Sequence, residues 1–164
     1  SDTQATGSDS ASVVVSTGVL CHPEEEPPVD LGCSFSQGRF FGGTYFRNDG
    51  SIKKAWPDSN GASYGQLTIG GFDYTQSEAL PIWKTTGSNA LPFTQAAAVK
   101  LSGTVLDVSV LADVATIDAF YSAFLKLTAS TIPVPSNDAA AAAGRIGAWI
   151  PLHHTDETTG SCTP

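Results

Sequence analysis

The chain has 164 residues, 41% of them hydrophobic, and carries a formal charge of −8 from 16 acidic and eight basic side chains. A chain of this length buries one core, and so few cations exclude a nucleic-acid partner, whose binding rests on clustered Lys and Arg that release counterions. No segment approaches the roughly 20 apolar residues of a membrane-spanning helix. There is no Met, so Ser1 is not an initiator, and removal of a leader during export is the simplest expectation. A charged fraction of only 15% agrees with an extracellular bacterial protein.

Residues 1–12 are polar, small and aperiodic, which predicts disorder. Within them Asp9-Ser10-Ala11 matches the short acceptor used for O-linked glycans, with Ser10 as the modified residue. All four asparagines lack the N-x-Ser/Thr sequon. Ser12 to Leu20 then reads SVVVSTGVL, a β-branched run containing Val13, Val14, Val15 and Val19, in which Val13, Val15, Thr17 and Val19 share one strand face. The following CHPEEEPPVD excludes helix through Pro23, Pro27 and Pro28 and stays solvated through Glu24 to Glu26, an extended connector. The expected plan is an extension over 1–31, holding a tethered strand, and one globular domain over 32–164.

Cys21, Cys33 and Cys162 form neither a CxxC pair nor a haem signature, and Cys21-His22 lacks the partners of a zinc site. A disulfide is the better reading. Cys33 and Cys162 stand at the two ends of the patterned region, and a bridge between them closes a loop of about 130 residues, worth on the order of 4–5 kcal/mol by chain entropy. Cys21 is left as a free thiol, an alternate partner or a link between chains.

From Cys33 to Gly71 the sequence is rich in Gly and aromatics, with turn signals at Asn48-Asp49-Gly50 and Asp58-Ser59-Asn60-Gly61. Phe35, Phe40, Phe41, Tyr45, Phe46 and Trp56 are too dense for a surface loop and are assigned to core under irregular backbone, with Gln66 to Ile69 the clearest strand. Lys53-Lys54, the only adjacent cation pair, reads as a solvated turn.

Helical signals begin at Thr75. Thr75-Gln76-Ser77-Glu78 fits a capping box, and Pro81 limits or kinks the helix that follows. A second helix is expected over Phe93 to Ser102, ended by Gly103, and a third over about Thr116 to Leu127 with the stripe Ile117, Phe120, Tyr121, Phe124, Leu127. A fourth, capped by Ser136 or Asn137, carries AAAAAGRIGAWI, whose small faces demand close neighbours. The expected fold is therefore α+β: a Gly-rich aromatic half of strand and loop packed on about four helices, closed by the disulfide.

Cys33-Ser34-Phe35-Ser36-Gln37-Gly38, Trp56-Pro57, Gly70-Gly71-Phe72-Asp73-Tyr74-Thr75-Gln76 with Glu78-Ala79, Ile82-Trp83, Gln95-Ala96-Ala97 with Lys100-Leu101, and Ala143 to Ile150 occur in this order. Together, over about residues 32–162, they resemble an uncharacterised domain of secreted and cell-surface bacterial proteins. The resemblance implies extracellular location and pairing of the opening with the closing cysteine, Cys33 with Cys162. The chain departs from that pattern at Arg39-Phe40-Phe41, where a Tyr-Trp pair is usual, and residues 1–31 lie outside it.

Catalytic constellations fail at the level of spacing: the sequence has no GxSxG, HExxH, phosphate loop or complete calcium loop. His153, His154, Asp156 and Glu157 with His22 could ligate a metal, but a solvated helix end explains them. Asp73 and Glu78 could act as paired carboxylates, though capping explains Glu78 more simply. No cofactor, metal or catalytic residue is assigned. Trp56, Tyr64, Tyr74 and Trp83 are candidates to stack on a sugar, against a default role in the core. The leading expectation is a non-enzymatic extracellular structural subunit that polymerises into a filament by exchanging the 12–20 strand. The alternative is a monomeric surface adhesive or carbohydrate-binding module.

Overall fold

The structure, a computed structural model, describes residues 32–57, 65–85, 87–103, 107–156, 159, 161 and 162. The 12–20 strand with its valines and Leu20, Ser10, Cys21, His22, Tyr64, Glu157 and the turn at 58–61 lie outside the described residues. The elements are α1 (Gln37–Phe41), β1 (Gln66–Ile69), β2 (Phe72–Thr75), α2 (Gln76–Trp83), α3 (Leu91–Leu101), α4 (Val108–Ser122) and α5 (Asn137–Trp149). Short 3-10 turns precede α3 at Ser88–Ala90 and follow α5 at Ile150–His153. This is the expected α+β arrangement, with four helices after residue 75 and one short helix, α1, where irregular backbone was expected. Among the described residues no helix is long and apolar enough to cross a membrane.

The core is built around α3. Pro92 to Val99 and Leu101 are all buried, so the helix is enclosed on nearly every face. It contacts α1, α2, α4, α5 and β1. Ala96, Ala97 and Ala98 on α3 and Ala139, Ala142 and Ala143 on α5 have no exposed surface, which brings helix backbones close together. Gln95 lies against α5 where Gly147 leaves room, since a Cβ there would sit 3.0 Å from the Gln95 amide nitrogen.

Local chemistry starts each helix. Thr75 Oγ1 accepts from Glu78 N at 3.3 Å while Glu78 Oε2 accepts from Thr75 N at 2.8 Å, the reciprocal box expected at this position. Pro81 ends α2 two residues later, at Trp83. Helix α3 begins at Leu91, with Pro92 in its first turn, and gives way to Gly103 at φ +95. Helix α4 starts eight residues before the expected Thr116 and ends at Ser122. Asp107 caps it, accepting from Ser109 N at 2.8 Å and Val110 N at 3.3 Å. Its expected last turn unwinds instead, so that Leu127 N donates to the Tyr74 hydroxyl at 3.0 Å and Leu127 is buried. Ser136 caps α5.

Arg145 on α5 reaches Asp113 on α4 with both Nε and Nη2, the shortest contact being 2.6 Å. That fork compensates a carboxylate only 10% exposed.

The aromatic half is held by one buried amide. Gln76 Oε1 accepts from Trp56 N at 2.9 Å, and its Nε2 donates to Lys54 O at 2.9 Å. Trp56 is fully buried and donates its indole N–H to Phe40 O at 2.8 Å. The expected pairing of Cys33 with Cys162 is present, with Cα atoms 5.6 Å apart. The ends are also zipped by backbone, since Ser34 N donates to His153 O at 2.9 Å and Thr155 N to Ser34 O at 3.1 Å. Ser102 Oγ accepts from Phe35 N at 2.8 Å and ties this junction to the end of α3.

The β1–β2 hairpin pairs Ile69 with Phe72 across Gly70-Gly71, both at positive φ, the two-residue turn that suits strand twist. This register makes Thr68 and Asp73 a pair whose backbone groups point outward. On the β1 side Lys100 Nζ donates to Thr68 O at 2.8 Å, and Asp118 accepts from Gly70 N at 3.0 Å and from Lys100 at 2.5 Å. That edge is closed by side chains. On the β2 side Glu78 takes Thr75 N–H, leaving Asp73 facing outward.

Gly70 is constrained twice, because its φ is +60 and a Cβ would come 2.7 Å from Tyr121 Cβ. Gly71, at φ +82, meets nothing within 4 Å. In denaturant unfolding Gly70→Ala should therefore cost about 2–4 kcal/mol and Gly71→Ala about 1 kcal/mol. Equal losses would show that the approach of α4 does not constrain the turn.

Candidate functional site

The site is a groove of about 190 Å³ between the C-terminal end of α2 and the segment 42–50. The segment is a small hairpin: Phe46 bridges Ile52, Arg47 N donates to Ser51 O at 2.8 Å, and Gly50 N donates to Arg47 O at 2.9 Å. Gly50 takes φ +85 at the end of the predicted Asn48-Asp49-Gly50 turn, a three-residue loop closed by a left-handed glycine. Trp83 forms the opposite wall. It is half-buried and stacks on the fully buried Phe41, with ring centroids 5.7 Å apart and planes 9° from parallel. Phe41 in turn meets Trp56 edge-on at 5.4 Å, so the wall rests on the core.

Trp83 differs from the other two tryptophans in its polar atom. Trp56 donates to Phe40 O, and Trp149 donates to Asp107 Oδ2 at 3.0 Å. The Trp83 N–H has no hydrogen-bond partner among the described residues, and it is not sealed from solvent. An indole anchored on one ring, its donor unpartnered among the described residues, suits an amphipathic ligand that presents both a flat apolar face and acceptor oxygens.

The cations are sorted across the fold. Lys100, Lys126 and Arg145 each meet a carboxylate, at 2.5, 2.6 and 2.6 Å. The other five of the eight fall between residues 39 and 84. Arg39 lies 3.6 Å over the Phe35 ring. Arg47, Lys53, Lys54 and Lys84 are exposed, with no carboxylate at ion-pair distance among the described residues. Arg47 and Lys84 line the groove from opposite elements, and Lys53 Nζ donates to the carbonyl of Gly43, a third lining residue, at 3.3 Å. The nearby carboxylate of Asp49 is turned onto Ser51, accepting from its N at 2.9 Å and its Oγ at 2.7 Å, which lowers its pKa.

Of the four rings considered for sugar stacking, Trp56 and Tyr74 are buried, and their faces are packed by protein. That placement removes both as candidates for sugar stacking: they fill the core, the default role that aromatic density gave them. Only Trp83 remains at the surface, and Tyr64 lies outside the described residues. Arg47 and Lys84 were not singled out from sequence. The available signal was the crowding of five cations into one stretch of an acidic chain.

His153 stacks on Trp149 at 4.3 Å and 8°, and His154 meets Phe35 edge-on at 6.4 Å. Among the described residues no three His, Cys, Asp or Glu side chains are gathered where a metal ion could be held. Asp73, considered as a partner of Glu78 in acid–base work, instead accepts from Thr68 Oγ1 at 2.5 Å.

A second cleft, of about 280 Å³, opens between Glu78, Pro81 and the 126–129 segment. Its charges are spent on each other: Lys126 Nζ meets Glu78 Oε1 at 2.6 Å. Together with the amide and hydroxyl of Thr75, this contact lowers the Glu78 pKa from 4.5 to about 2, Lys126 being the largest cause. A carboxylate depressed in the folded state stabilises the fold fully above its unfolded pKa and loses that contribution as pH falls through the folded value. Glu78→Gln should therefore cost about 1 kcal/mol at pH 7, a small value because the pair is exposed to solvent. In thermal unfolding, the gap between variant and parent should shrink below about pH 4.5 and close near pH 2; a gap that stays constant would remove Glu78 from the acid response.

Compared with family models, curated proteins and solved structures, the chain matches none.

Proposed function

We propose that this chain is an extracellular, non-catalytic surface protein whose disulfide-closed domain is an adhesive module that holds a sugar ring against Trp83. The observation that carries this reading is the half-buried indole, stacked on Phe41 at the wall of a groove, with no partner for its N–H among the described residues. Sugar rings present a C–H face to an aromatic plane and hydroxyls to the donors around it, and Asn48 stands at the rim to supply further polar contacts. Secretion is supported by the Cys33–Cys162 bridge, since such bonds persist in oxidising compartments, and by the resemblance of residues 32–162 to secreted domains.

A second reading, the filament subunit, is favoured by a different observation. Among the described residues the hydrophobic core lies between Phe40 and Ile150, and the β-branched run of Val13, Val14 and Val15, joined to that region by a proline-rich connector, is a strand signal of its own. Strand exchange between copies is the proposed use. In the described hairpin the β1 edge is taken by Lys100 and Asp118, which directs an incoming strand to β2, where Asp73 faces outward.

Two experiments test these readings. On a panel of immobilised polysaccharides, Trp83→Ala should abolish retention while keeping a cooperative unfolding transition; retention unchanged in the folded variant would sink the adhesive assignment. For the filament, the full chain should form polymers visible by electron microscopy, and deletion of residues 1–20 should leave a folded monomer. A full chain that stays monomeric at every concentration would rule out exchange.

A further inference from the structure

We infer that the sugar held at Trp83 is acidic: the groove takes a carboxylate-bearing ring of an anionic polysaccharide, with Arg47 and Lys84 pairing its charge. This inference rests on the adhesive reading above and adds the ligand's chemistry. The warrant is the sorting of charge. In a chain of net charge −8, Lys100, Lys126 and Arg145 are each matched to a carboxylate, whereas the groove is lined by two cations and, among the described residues, by no Asp or Glu.

The two groove cations are held differently. Arg47 Nη1 donates to Ile52 O at 2.8 Å and Ser51 Oγ at 3.3 Å, which fixes the guanidinium at the hairpin while leaving its remaining donors available. Lys84 caps the end of α2, and its ammonium makes no hydrogen bond or ion pair among the described residues; Nζ lies 3.5 Å from where a Cβ on Gly50 would stand. Trp83 lines the same groove. A neutral ring would use the indole and leave both cations idle. A uronate uses all three groups, its ring on the indole and its carboxylate on the cations.

Size and field agree with one ring of a longer chain. The groove's 190 Å³ falls below the roughly 300–1,000 Å³ of pockets that engulf a whole small ligand, so the polymer runs on over the surface. Lys53, anchored on Gly43, and Lys54, 5.8 Å from the Tyr45 ring centroid, extend the positive face beside the groove. An acidic protein repels a polyanion at long range, so this face also dictates the orientation of approach.

The test uses the full chain with polygalacturonate, dextran sulfate and neutral dextran as probes, measured by isothermal titration at low and high salt. Polygalacturonate should bind and dextran should not. Raising salt from about 50 to about 500 mM should weaken binding, because exposed charge pairs are screened. Lys84→Gln should weaken it about threefold and Lys84→Glu about tenfold. The Lys84 side chain is exposed and makes no hydrogen bond or ion pair among the described residues, so folding should be preserved, and unfolding curves check this. Dextran bound as tightly as polygalacturonate, with Lys84→Glu silent, overturns the acidic ligand but leaves the adhesive reading standing. Binding of dextran sulfate alone overturns the carboxylate. Polyanion binding indifferent to both Lys84→Glu and Trp83→Ala reduces it to general charge attraction and overturns the site. No binding to any of the three overturns the inference, and absence from the wider polysaccharide panel removes the adhesive reading as well.

Discussion

A helix whose residues are buried almost all round has to be surrounded, and the enclosure of α3 organises this molecule. Its alanines leave little side chain to bridge a gap, so neighbours must approach closely, and α5 answers with alanines of its own. The bulk that α3 lacks comes from the other half of the chain. Phe93 is its one large buried aromatic, meeting Tyr74 of β2 at 5.1 Å and Tyr121 of α4 at 6.2 Å. The hairpin and α4 are thereby drawn onto one side of the same helix. Small residues where helices meet and rings where irregular backbone meets helix are two solutions to one packing problem.

Charge is placed with similar economy. The single cation of α3, Lys100, would be costly inside such a helix, but it leaves the core at the edge of β1, where Thr68 O and Asp118 receive it. One residue thus satisfies a backbone carbonyl, pairs a carboxylate and blocks a strand edge against unwanted pairing. Arg145 acts likewise between α4 and α5, exposed itself while covering the carboxylate of Asp113. These cations have structural work to do, whereas those around the groove have none that the fold requires apart from the hairpin contacts of Arg47 and the Gly43 contact of Lys53.

How much of this could be read in the sequence depended on how local each signal was. The capping box at Thr75–Glu78, the Ser136 cap, the strand at Gln66–Ile69 and the glycine after α3 are all written within four or five residues, and each appears where the pattern put it. The limits of α4 were not local. Exposed Val108 and Leu111 blur the apolar stripe at its start, and its end is set by a tertiary bond from Leu127 to Tyr74, with no Gly or Pro to mark it. Helix α1 is too short, and too dense in rings, for its period to show. The groove was hidden for the same reason: Trp83 stood out as a ring, but its companions Arg47 and Lys84 lie far apart in sequence and meet only because Phe41 stacks beneath the indole.

Position in the fold also bears on how such a groove would bind. The aromatic half has little regular structure, yet the hairpin that carries Arg47 is braced by buried Phe46, which lies edge-on to Trp56 at 6.3 Å. Trp56 is held in turn by Gln76 at the start of the helix that ends in Trp83 and Lys84. The two walls are therefore linked through one buried indole rather than through solvent-exposed loop. A site whose walls share a core is largely ordered before a ligand arrives, so little conformational entropy is lost on binding, and a shallow groove with few contacts can still be selective. Lys84 follows directly on Trp83 at the end of that helix, so its exposed charge is carried by the same ordered wall.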